Sequence, residues 1–232
     1  MLKALIFDVD GTLAETEEIH RNSFNAAFNA AGLDWYWDRA CYAKLLSTAG
    51  GKERIARFTC EQGLPQIAQK IARLHAAKNQ FYAETVAQGG LVLRPGVARV
   101  IADARHSGLK LGIATTTSRS NLMALLHSCF GPESDKIFDA IVCGEDVQHK
   151  KPDPEVYTKC LEKLGLEPTA ALAFEDSGVG LRAALAAGIK TVVTPSSYMS
   201  NDDFTAAEQV LTDLESLRTI EFPIINRGGN LE

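Results

Sequence analysis

The stretch Leu2-Lys3-Ala4-Leu5-Ile6-Phe7-Asp8-Val9-Asp10-Gly11-Thr12 decides the fold. A short apolar run that ends abruptly in Asp-Val-Asp-Gly reads as a buried strand feeding a turn. Beyond it the period changes. Ile19, Phe24, Ala27, Phe28 and Ala31 recur at helical spacing over residues 17–31, and Gly32 is placed to close that helix. Further helical stretches are expected at 36–46, 52–62 and 65–87, with no strand pattern among them, until Gly89-Gly90 and Arg94-Pro95-Gly96 break the run.

From residue 97 onward, helix and strand alternate. Helices are expected at 97–107, 119–127, 154–164 and 178–187, and strands at 110–114, 140–143, 171–174 and 191–194. Such alternation signals a parallel sheet covered by helices on both faces. The first strand must join this sheet, having nothing else to pair with. The expected fold is therefore α/β, a doubly wound parallel sheet with an inserted α-helical cap domain. Residues 1–15 and 90–232 would form the core and 16–89 the cap. The tail after Glu221, with Gly228-Gly229-Asn230, reads as loose.

Composition narrows the function. The 232 residues are 46% hydrophobic and 23% charged, a globular profile with room for a sizeable core. No run of 18 apolar residues occurs, and the apolar start is too short for a signal peptide. The net charge of −5 and the lack of basic runs speak against nucleic acid or anionic membranes as partners. Cys41, Cys60, Cys129, Cys143 and Cys160 show no paired spacing for a zinc site or disulfide framework. A cytoplasmic, monomeric protein acting on a small molecule is expected.

Ligands of open parallel sheets gather beyond the carboxyl ends of the strands. Four polar clusters fall there: Asp8-Val9-Asp10-Gly11-Thr12, Thr115-Thr116-Thr117-Ser118, Lys150-Lys151-Pro152-Asp153 and Glu175-Asp176-Ser177-Gly178. Asp8 and Asp10, two apart, share a face of extended chain. Together with Glu175 and Asp176 they make a hard oxygen site suited to Mg²⁺. A tight turn alone would explain Asp-x-Asp-Gly-Thr, but such a match arises by chance only about once in 10⁵ positions. Thr116, Thr117 and Ser118 precede a helix, so their amides can meet phosphate while Ser118 caps the helix. Of the adjacent lysines, Lys151 is expected to point inward and Lys150 to be solvated. Gly50-Gly51-Lys52 has the look of a P-loop fragment but lacks the earlier glycine and the following Ser/Thr. Trp35, Tyr36 and Trp37 are expected to pack in the cap core.

Asp8-Val9-Asp10-Gly11-Thr12, Thr115, Lys151-Pro152 and Glu175-Asp176 resemble, in order and spacing, the four motifs of the haloacid dehalogenase superfamily, whose core is a Rossmann-like sheet. Thr16, His20, the 52–54 loop and Lys78-Asn79 resemble its β-phosphoglucomutase branch, and Gly50 to Arg54 resembles the loop of CbbY-type sugar-bisphosphate phosphatases. The resemblance implies a Mg²⁺-dependent phosphatase working through an aspartyl-phosphate. Asp8 would be the nucleophile and Asp10 the acid and base. Thr115 and Lys151 would hold the phosphoryl oxygens, while Glu175 and Asp176 anchor the metal with Asp8 and Asp10.

In the cap, Glu17, His20, Gly50, Gly51, Lys52, Arg54, His75 and Lys78 would meet the substrate. Lys52, Arg54 and Lys78 would grip the distal phosphate of a sugar bisphosphate such as xylulose-1,5-bisphosphate. A sugar phosphomutase is the alternative, although Gly51 stands where mutases of this branch carry an arginine. A non-catalytic module on the same fold is opposed by the complete carboxylate set.

Overall fold

The computed structural model describes residues 1–217, so the expected loose tail lies outside the described residues. Six strands form one wholly parallel sheet in the order β3-β2-β1-β4-β5-β6. They are β1 (Ala4–Phe7), β2 (Lys110–Ala114), β3 (Ala140–Val142), β4 (Ala171–Glu175), β5 (Lys190–Val193) and β6 (Gln209–Val210). The last was not legible in the sequence, because two exposed residues carry no apolar run.

Strand β1 is buried on both faces. Leu5 and Phe7 join one hydrophobic cluster, and Ala4 and Ile6 join the other. The first cluster lies under α5 (Val97–His106) and α6 (Arg119–Phe130), the second under α7 (Glu155–Leu164) and α8 (Gly178–Ala186). This double coverage explains why the strand reads as a continuous apolar run rather than an alternation. The chain crosses from β1 to β2 and β3 on one side, then returns to place β4 on the other side of β1. Such a reversal opens a crevice at the carboxyl ends of the two central strands. Asp8 and Asp176 follow those two ends directly.

Between β1 and β2 lie α1 (Glu17–Ala30), α2 (Arg39–Leu45), α3 (Gly51–Glu61) and α4 (Ile71–Ala87). Helix α2 starts three residues later than expected because the Asp38 side chain caps it, accepting from the Cys41 amide at 2.7 Å. The expected helix over 65–87 is split into a 3₁₀ turn, Pro65–Lys70, and α4. Trp37 is fully buried among Phe24, Phe28 and Tyr42, and Trp35 packs beside them, whereas Tyr36 is exposed, contrary to expectation. Met199, Tyr198 and Phe204, which follow β5, pack into this same cluster. The helical block is thus joined to the sheet by shared apolar packing as well as by the chain. Tyr198 also donates to Glu18 at 2.6 Å, and Asn121 to Asn79 at 3.0 Å.

Candidate active site

Strand β1 delivers Asp8 to the crevice, where its amide still bonds Phe174 O at 3.0 Å. Lys151, reached through a turn after β3, places Nζ 2.6 Å from Asp8 Oδ1 and 2.6 Å from Glu175 Oε1. Tyr157 of α7 donates to the same Glu175 oxygen at 2.6 Å. Asp8, Glu175 and Asp176 bring carboxylate oxygens within 4.8 Å of one another, and all three are buried. Three acids face one lysine. Burial, with Glu175 and Asp10 nearby, pushes Asp8 up to about 7 in spite of Lys151. Burial and the charges of Asp8 and Glu175 likewise drive Asp176 well above the usual carboxylate range.

A buried, all-oxygen donor set with excess negative charge fits a hard divalent cation. Asp8 and Asp176 line the crevice and could hold it, whereas Glu175 lies behind Lys151 with one oxygen already taken by two donors. Two glycines make this crowding possible. A Cβ on Gly11, whose φ is +83°, would strike the Asp176 carboxylate, and one on Gly180 would strike that of Glu175.

The Asp10 carboxylate is not part of that acidic group. Its Oδ1 accepts from Thr16 Oγ1 at 2.6 Å and meets His20 Nε2 at 2.9 Å, while His20 Nδ1 lies 2.8 Å from Lys78 Nζ. Carrying its proton on Nε2, His20 donates to Asp10 and accepts from Lys78, so every partner is satisfied. Burial alone would raise the Asp10 carboxyl, but His20, Thr16 and Lys78 hold it well below the usual range. Burial brings Lys78 down to about 7. His20 is lowered as well, by burial and by the Lys78 charge, so the imidazole is the neutral partner. The ring stacks on Tyr82 at 4.2 Å, which fixes its plane.

A cavity of about 200 Å³ joins these groups. One wall is the sheet edge, where Thr115 is buried, Thr116 and Thr117 follow, and Ser118 caps α6 by accepting from the Asn121 amide. The other wall is the helical block. Gly50 and Gly51 start α3, with Gly51 set against His75. Burial and the charges of Lys78 and Lys52 take His75 down to about 3, leaving it neutral. Glu17 is buried and accepts from Tyr42 at 2.6 Å; Arg54 donates to the same hydroxyl at 3.0 Å and lies 4.0 Å from Glu17. Of all the site residues read from the sequence, only Glu175 is absent from the cavity wall.

A family model for haloacid dehalogenase-like hydrolases matches residues 2–188. The chain belongs to that family. This hydrolase is 52% identical over 222 residues to the protein CbbY of Rhodobacter capsulatus, covering 96% of this chain and 98% of that one. A crystal structure of a mutant CbbY from Rhodobacter sphaeroides in complex with xylulose-(1,5)bisphosphate shares its fold at a TM-score of 0.89. It is 46% identical, with 94% and 96% of the two chains covered. A β-phosphoglucomutase from Clostridium difficile, at 19% identity and a TM-score of 0.81, shares the fold.

Within the hydrolase site, Asp10, bonded to Thr16 and His20, and Glu175, behind Lys151, depart from the metal-ligand role read from the sequence, and three cations depart as well. Arg54 and Lys78, expected to be free cations, are engaged with Tyr42 and His20. Lys150, expected in solvent, is half-buried on the cavity wall, its Nζ on the Gly144 carbonyl. Tyr157, Tyr42 and Gly180 went unnoticed in the sequence. Tyrosines in amphipathic helices read as core, and a glycine at a helix start reads as ordinary. Only the distance to Glu175 or Glu17 exposes their part.

Proposed function

We propose that this phosphatase hydrolyses the phosphoric monoester of a sugar bisphosphate, xylulose-1,5-bisphosphate being the candidate, through an aspartyl-phosphate on Asp8 with Mg²⁺ as the metal. The observation that carries the reading is the opposite state of two carboxyls two residues apart. Asp8, beside Lys151, lies in an acid-rich pocket that pushes it up to about 7, whereas Asp10 is held low by His20 and Thr16. Environments that push paired carboxyls apart mark a division of labour between nucleophile and acid–base group.

Mg²⁺ held by Asp8 and Asp176 would neutralise the phosphoryl oxygens and keep both carboxylates ionised. An Asp8 oxygen attacks phosphorus and the bond from phosphorus to the sugar oxygen breaks. Lys151 and the Thr115 hydroxyl hold the phosphoryl oxygens as charge shifts. The arriving phosphoryl charge raises Asp10, which takes up a proton from solvent as the substrate binds and hands it to the leaving sugar oxygen. In the second half Asp10 takes a proton from water, which attacks phosphorus. The bond from phosphorus to Asp8 breaks, and the Asp8 carboxylate is regenerated with free phosphate. The His20–Lys78 pair, reaching Asp10 from the helical block, ties its protonation to closure of residues 16–89 over the core, which we take as the cap.

The test is phosphate release from xylulose-1,5-bisphosphate with and without chelator. Asp8→Asn is expected to leave only a trace of turnover and EDTA to abolish it. Substantial turnover in either case overturns the mechanism. A rearranged sugar phosphate with no free phosphate would identify a mutase.

A further inference from the structure

Resting on the bisphosphate reading above, the cavity raises the question of what holds the phosphate that is not transferred. Lys151 is neutralised at the deep end by Asp8 and Glu175. Lys78 is spent on His20. Arg54 gives Nε to Thr48 O at 3.0 Å and Nη1 to Tyr42 at 3.0 Å, with Glu17 compensating its charge. Lys52 and Lys150 are the remaining lysines on the wall. Lys52 is exposed and engages no partner among the described residues; Lys150 gives one N–H to Gly144 O and keeps two.

The two lysines stand on opposite walls, Lys52 at the start of α3 and Lys150 on the turn that leads to Lys151. Both line the cavity that His75 also borders, and its imidazole feels both positive charges. Two carboxylates border this mouth. Glu145 is occupied with the Arg119 amide at 3.0 Å, and Glu53 is folded against Gly50 in the first turn of α3. The Lys150 ammonium is also anchored. Gly144, whose carbonyl it meets, is pressed against the Thr116 carbonyl and bonds Thr117 O through its amide at 2.9 Å. The loop that presents Thr116 and Thr117 therefore also positions Lys150.

We propose that Lys150 is a specificity-determining residue that grips the non-transferring phosphate of the bisphosphate together with Lys52, the two closing on it from core and cap. A phosphate dianion matches two ammonium groups in charge, and charge-assisted hydrogen bonds of this kind are the strong ones. The distal phosphate then bridges the cleft, and a monophosphate without it leaves the two lysines to repel each other.

The experiment compares kcat/KM for xylulose-1,5-bisphosphate and for p-nitrophenyl phosphate in wild-type protein, Lys150→Ala, Lys150→Gln and Lys150→Arg. Both neutral variants are expected to lower the bisphosphate-to-monoester ratio by about ten- to a hundred-fold, mainly through KM. Lys150→Arg should recover most of that ratio. Lys136→Ala, in an exposed pair with Glu133, is the control with unchanged ratio. Should Lys150→Ala fail to fold, Lys150→Gln, which keeps the side-chain length, carries the same comparison. A ratio that stays at the wild-type value, including one where both substrates lose equally, shows that Lys150 acts only through its neighbour Lys151 and overturns the proposal. Wild-type protein with no preference for the bisphosphate would instead refute the proposed function itself, and with it the need for a distal grip.

Discussion

Asp8→Asn, studied without metal, tests the electrostatics on which the site reading depends. Asp8 rises from 3.8 to about 7 on folding, because burial, Glu175 and Asp10 outweigh Lys151. Between those two values the folded protein holds a proton that the unfolded chain has lost. Stability from this group is therefore full below about pH 4 and falls as pH rises through 7, by about 1.4 kcal/mol per unit. Over roughly three units the loss approaches 4 kcal/mol, a ceiling because neighbouring acids share the proton. Asparagine has nearly the same shape and does not titrate. Other groups change oppositely over the same range, His75 among them, so the informative quantity is the difference between the two proteins. Urea unfolding at pH 5, 6, 7 and 8 in chelator samples about two of those units and should show Asp8→Asn gaining on wild type by up to about 2.7 kcal/mol as pH rises. Millimolar Mg²⁺ should shrink the gain, since a cation stabilises the ionised wild-type site by mass action. A difference that stays flat from pH 5 to 8 in chelator would refute both the raised Asp8 and the inferred demand for a cation.

Two further expectations concern the support of Glu175. Tyr157→Phe removes a 2.6 Å hydrogen bond to a carboxylate whose side chain is 1% exposed, which should cost about 1.5–3 kcal/mol and appear in a thermal melt as a fall of about 4–10 °C; an unchanged Tm would show that Lys151 alone secures Glu175. Gly180→Ala drives a methyl into the Glu175 carboxylate, so it should destabilise by about 1–3 kcal/mol and cut kcat more than KM by displacing Lys151. Wild-type kcat in that variant would show that the Glu175–Lys151 contact does not govern turnover.

Much of the polar sheet edge was legible in the sequence. An apolar run must be a strand, a parallel sheet must offer its carboxyl ends to ligands, and each run here stops at a polar cluster. Local chain periodicity and the side-chain types that follow it are enough to place Asp8, Thr115, Lys151 and Asp176 on one rim. Gly11, at positive φ, also marks in the sequence the sharp exit that it makes in the structure.

The tertiary structure decided what each group is free to do. Lys151 meets Asp8 across 143 residues of chain, and Lys78 meets His20 across 58. Neither pairing leaves a local trace, because a carboxyl's proton affinity and an ammonium's availability depend on burial and on partners delivered from distant segments. The same dependence separates Asp10 from the acidic group that its spacing to Asp8 suggested. It also turns Arg54 and Lys78 from free cations into engaged ones, and brings Lys150 from solvent to the cavity wall. Residue order determined which chemistry could gather at the sheet edge; packing of the helical block against it determined which charges were left to spend on a substrate.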